Sequence, residues 1–180
     1  MTRTKTTIRV LPVPADHLEA VRAGGRDDDG NPFEPFTDDD GGRPLRCCLR
    51  DSTKGERIAL IAYRPVPRSV RDVGGNAGGH GAGLNAGPYH ESGPVFVHAQ
   101  ACDGPDGDGY PDDWRARRQV LRCYDRDGRI VGGAVAQAGD GQEEALAELL
   151  ADDAVAFVHT RNIVYGCFMA DVRRAGPGAS

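Results

Sequence analysis

The stretch Gln119-Val-Leu-Arg-Cys123-Tyr124-Asp125-Arg-Asp127-Gly128-Arg129-Ile-Val-Gly-Gly-Ala-Val-Ala-Gln137 holds two apolar, strand-like runs separated by a turn. Asp127-Gly128 supplies the positive φ of a tight hairpin turn, so Gln119 to Tyr124 should pair antiparallel with Arg129 to Gln137. Similar short runs lie on either side: Thr6 to Leu11, Leu45 to Arg50, Glu56 to Tyr63, Pro94 to Gln100, Ala154 to Thr160 and Ile163 to Val172. Glu56 to Tyr63 is apolar almost throughout, as a central strand buried on both faces would be. Two segments read as helices. Pro14 to Arg22 has proline in its first turn and Gly24-Gly25 behind it. The other opens at a capping-box pattern, Asp140 to Glu143, and runs to Leu150 with Leu146, Leu149 and Leu150 on one face. These elements predict an α+β domain: a mainly antiparallel, twisted sheet of about seven strands, two short helices and long Gly/Asp-rich loops.

The chain of 180 residues suits a single domain, with an ordered core over 6–173. An apolar fraction of 39%, with 25 glycines and 12 prolines, assigns much of it to loop, chiefly an acidic loop over 24–42 and a glycine-rich one over 64–93. The aspartate clusters at 27–29, 38–40 and 103–108 lack the alternating ligands and downstream glutamate of a calcium loop, and they read as solvated turns. His17 reads as solvent-facing and His80 as part of the glycine-rich loop. A net charge of −5 without a basic stripe argues against nucleic acid as partner. No apolar run approaches the roughly 20 residues of a membrane span. The polar N-terminus and five cysteines without framework spacing point to a cytoplasmic protein with reduced thiols. The preference for arginine over lysine is a coding habit of GC-rich bacterial genomes. Oligomeric state stays open.

Chemistry is expected where two strands each end in histidine. Strand alternation sets Phe96, His98 and Gln100 on one face, and Phe157, His159 and Arg161 on one face of another strand. If the strands are neighbours, His98, His159 and Arg161 converge on one pocket. His98 or His159 would then transfer protons, Arg161 would clamp an anion and Asn162 would orient a carbonyl. Cys102 or Cys167 would act as nucleophile, with Tyr89 and Glu91 closing over the site. This reading is a cofactor-independent enzyme acting on a small anionic metabolite. Its rivals are a non-catalytic small-molecule-binding protein using the same pocket, a protein-interaction domain using the acidic loops, or a purely structural polar network. Zinc held by His98, Cys102, His159 and Cys167 is disfavoured, because their spacing lacks a tight chelating pair. Cys47, Cys48 and Cys123 read as packing residues inside strands.

The segments Arg46-Cys-Cys-Leu49, Ala62-Tyr-Arg-Pro65, Gly87-Pro-Tyr89-His-Glu91-Ser-Gly-Pro94-Val-Phe-Val-His98 with Cys102, Arg122-Cys-Tyr-Asp125, Val158-His-Thr-Arg-Asn162 and Tyr165-Gly-Cys-Phe168 give the chain a family resemblance. From about Arg43 to Arg173 it resembles the bacterial family called domain of unknown function 1203. The glycine run Gly74 to Gly83 is longer than the family's usual loop, and Cys123 stands where a small apolar residue is expected. The resemblance brings no reaction with it. It implies only that Tyr89, Glu91, His98, Cys102, His159, Arg161, Asn162 and Cys167 belong to one constellation.

Overall fold

The computed structural model describes residues 6–74 and 87–176. His80 and nearly all of the glycine run lie outside the described residues. In place of one seven-stranded sheet with two helices, the described residues form two five-stranded sheets and four α-helices. The first sheet, in spatial order, is β1 (Ile8–Leu11), β10 (Phe168–Arg174), β9 (Phe157–Asn162), β7 (Gln119–Tyr124) and β8 (Ile130–Ala136). The second runs β2 (Phe36–Thr37), β5 (Arg57–Tyr63), β6 (Gly93–His98), β3 (Pro44–Leu45) and β4 (Arg50–Asp51). The helices are α1 (Ala15–Gly24), α2 (Pro65–Asp72), α3 (Asp112–Arg115) and α4 (Gln142–Leu150). The α+β class and the antiparallel pairing stand, apart from the parallel contact of β3 with β6. None of the described helices is long and apolar enough to cross a membrane.

Each sheet buries its own cluster. Leu121, Val158, Met169 and Val172 of the first pack under Trp114 of α3 and Leu146 and Leu150 of α4. Ile58, Ile61, Val95 and Val97 of the second pack under Leu18 and Val21 of α1. Phe168, a first-sheet residue, belongs to the second cluster and joins the two layers.

Helix α2 occupies sequence that reads as loop, because it begins Pro65-Val-Pro67. Prolines in a first turn remove N–H groups that have no intrahelical acceptor, so they cost the helix little. His17 is buried rather than solvent-facing, with its ring against Tyr63 and its Nδ1 within 2.7 Å of Arg68. Asp38, in the acidic loop, is fully buried and accepts from Ser52 and Arg43. Helix α4 has no side-chain cap, and Glu143 instead accepts from the Tyr110 backbone N–H and from Arg115.

The hairpin of β7 and β8 forms as read, with Gly133 opposite Arg122. A Cβ on Gly133 would lie 2.7 Å from the Leu121 carbonyl oxygen, a backbone atom fixed in the neighbouring strand. Gly133→Ala is therefore expected to cost about 1–3 kcal/mol, as overpacking does. A Cβ on Gly132 meets only Cys123 at 4.0 Å. Urea midpoints of Gly133→Ala and Gly132→Ala, side by side, check this, and equal midpoints would refute it.

Candidate metal centre

Strand β3 hydrogen-bonds to β6 through Arg46 N–H and the Phe96 carbonyl, 2.9 Å, which brings the next residues level with the end of β6. That end is His98. The chain does not continue extended, as the sequence suggests for Leu45 to Arg50. It turns over Arg46 to Leu49, closed by a 2.9 Å bond from Leu49 N–H to the Leu45 carbonyl, with Leu49 at φ 57°. Consecutive residues of a strand point to opposite faces. The turn instead sends both sulphurs, Cys47 and Cys48, toward His98. A left-handed leucine costs about 1–2 kcal/mol, and backbone strain of this kind tends to collect at functional sites.

His98 Nδ1 is 3.3 Å from Cys47 Sγ and 3.8 Å from Cys48 Sγ. Cys102, four residues past His98, completes the group, and the four donor atoms all lie within 4.8 Å of one another. A tetrahedral zinc ion with Zn–S of about 2.3 Å and Zn–N of about 2.0 Å separates its ligands by roughly 3.5–3.8 Å. Small side-chain movements therefore reach that geometry.

The far side of the imidazole is also organised. Arg50 forms a fork with Glu56, at 2.5 and 3.1 Å, and this guanidinium holds Glu56 down at about 2. Glu56 Oε1 is 3.5 Å and Arg50 Nη2 3.1 Å from His98 Nε2. A metal on Nδ1 leaves the proton on Nε2, which Glu56 would accept after a small shift that moves the Arg50 Nη2 donor off that nitrogen. The His98 backbone N–H also donates to Cys47 Sγ at 3.3 Å.

Charge is distributed unevenly. The neighbouring Cys48 thiol, together with burial, pushes Cys47 up to about 12. Cys47 in turn, helped by Arg50, lowers Cys48 below the ordinary thiol value. The Cys47 contact outweighs burial and raises His98 to about 9. These directions favour a proton on the imidazole and ease its loss from Cys48, and a metal ion would displace the ring proton.

The residues expected to share one pocket separate into groups. His159, fully buried, touches Tyr124, Phe157 and Phe168, and its Nε2 lies 3.0 Å from the Ser69 hydroxyl of α2. Ser69 donates to Asp171 at 2.8 Å. None of these partners belongs to the His98 cluster. Burial, with Arg161 nearby, drives His159 well below the ordinary imidazole value and leaves the ring neutral.

Arg161, Glu91 and Cys167 do meet, around a cavity of about 160 Å³. There Glu91 already pairs with Arg161 and with Arg122, the latter at 3.1 Å. Asn162 accepts from the backbone N–H groups of Val164 and Tyr165, so it shapes the β9–β10 turn. Tyr89 ends a short 3-10 turn at the surface. Cys47 and Cys48 are the residues that strand reading sets aside as packing. His98-x-x-x-Cys102 carries the local spacing that could have signalled the centre.

No curated protein and no solved structure matches the chain. The family model described as protein of unknown function DUF1203 matches residues 42–174, which include all four donors of the centre, and the chain belongs to that family.

Proposed function

We propose that the protein binds a thiophilic divalent metal ion, zinc foremost, through Cys47, Cys48, His98 and Cys102. One observation carries this reading: two chain segments, 47–48 and 98–102, deliver three sulphurs and one imidazole nitrogen to a space where all four atoms lie within 4.8 Å of one another. Three thiolates and a histidine form a recurrent tetrahedral zinc set, and soft sulphur selects against magnesium and calcium. Four protein donors complete the coordination of zinc, so the reading is a metal-binding domain and not a hydrolytic centre. A cofactor-independent site at Arg161 has less support, because Glu91 already neutralises that guanidinium.

Cobalt(II) tests the reading directly. The reduced protein is expected to take up one equivalent, with a sulphur-to-cobalt charge-transfer band and the strong visible bands of tetrahedral coordination, both bleached by added zinc. Cobalt that stays octahedral and dialyses away would overturn it.

A further inference from the structure

We infer that Cys102 is the exchangeable ligand of this centre, and that its position is open to a low-molecular-weight thiol carrying a carboxylate. The inference rests on the metal site proposed above.

The four donors are held very unequally. Cys47 and Cys48 are buried in a turn closed by backbone hydrogen bonds, and His98 ends a strand paired on both sides. Cys102 is only half-buried and sits in a segment without regular structure. Among the described residues, no backbone–backbone hydrogen bond involves residues 100–107. This segment also has open space on two sides. Ala101 to Gly104 line a cavity of about 640 Å³ together with Cys47, Leu18 and Arg22. Gly104 to Gly107 line another of about 550 Å³ together with Cys48. A segment without ladder bonds and flanked by two cavities can swing at small cost.

The larger cavity determines what could replace the Cys102 sulphur. Its wall includes the aliphatic Val13 and Leu18, which suit a short carbon chain. It also includes Arg22, whose Nη2 donates to the His98 carbonyl at 3.0 Å while its buried Nε has no partner. The Arg22 guanidinium, on the wall of this cavity and in no ion pair among the described residues, fits a ligand with sulphur at one end and a carboxylate at the other. In the exchange, the metal–sulphur bond to Cys102 breaks and one to the incoming sulphur forms. The proton of the incoming thiol passes to Cys102, which leaves as a neutral thiol, and no electrons change hands.

The experiment uses the cobalt-loaded full chain, prepared with a phosphine reductant, with 3-mercaptopropionate and uncharged 2-mercaptoethanol as probes. Dialysis monitors cobalt retention. Cys102→Ser is expected to keep one cobalt, with affinity lowered about 10–100-fold and the charge-transfer band reduced by about a third. Mercaptopropionate should restore the band in the variant at least tenfold more effectively than mercaptoethanol, and Arg22→Gln should erase that preference. Complete loss of cobalt from Cys102→Ser would make Cys102 a fixed ligand and overturn the inference, while the metal site itself would stand. A band that neither thiol restores, with cobalt retained, would overturn it equally. Failure of the wild-type chain to bind cobalt would remove both.

Discussion

Cys47→Ser is expected to abolish stoichiometric metal uptake while leaving the fold in place. The side chain is nearly isosteric and its backbone partner, the His98 N–H, can donate to oxygen as well as to sulphur. Serine is a far poorer zinc ligand than thiolate at neutral pH, however, and the loss falls on a buried donor fixed in a hydrogen-bonded turn rather than on the half-buried, loosely held Cys102. The difference should be plain in thermal unfolding. A ligand at a hundredfold its dissociation constant stabilises the native state by about 2.7 kcal/mol. For a chain of this size that raises the wild-type midpoint by roughly 5–10 °C. The variant should show almost none of that rise, and without zinc it should melt close to the wild type. Cys123→Ser is the control, since Cys123 packs in the other cluster among Leu121 and Val158. Equal zinc-induced shifts in Cys47→Ser and wild type would show that the thiol cluster is not where metal binds.

The second large effect concerns stability. His159→Ala removes a ring enclosed by Tyr124, Phe157 and Phe168 and deprives the Ser69 hydroxyl of one of its partners. Truncating a fully buried ring costs about 3–5 kcal/mol, so the denaturant midpoint should fall sharply while zinc affinity at the thiol cluster, which His159 does not touch, holds.

The same histidine gives stability a dependence on pH with a definite sign. Its folded value lies well below 6.5 because burial opposes the charge, whereas the unfolded ring takes up a proton as the pH drops through 6.5. The unfolded state then binds more protons, so this contribution is complete above about 6.5 and is lost on further acidification. His159→Gln, which keeps a donor toward Ser69, should flatten the decline between pH 7 and 5. An unchanged slope would assign that decline to other groups, such as the paired carboxylates.

Much of this fold is legible residue by residue, and its gaps have physical causes. The β7–β8 turn announces itself through Asp127-Gly128, and α1 through Pro14 and the glycines behind it. Strand alternation correctly puts Phe157, His159 and Arg161 on one face. It does not say what covers that face. The cover is α2, whose two prolines disguise a helix, and Ser69 on that helix turns His159 from an apparent catalyst into a buried anchor.

The thiol centre was hidden for a different reason. Adjacent cysteines in an apparent strand point apart, and the turn over Arg46 to Leu49, closed by the Leu49 N–H on the Leu45 carbonyl, swings them together. The split into two sheets depends on pairings between distant segments, which no local pattern encodes.

That split also sets an order of events. The second sheet is built entirely from residues 36–98, one continuous stretch, and the donors of the metal centre span 47–102. The first sheet needs β1 to pair with β10, joining opposite ends of the described chain. Closing that loop is entropically the most expensive pairing in the fold, and during synthesis it must wait for the last strand. The metal-binding half can thus assemble as the chain emerges, while β1 has nothing to pair with until β10 has been made. A nascent chain stalled after Cys102 has emerged would already hold all four donors, so metal capture could precede completion of the fold.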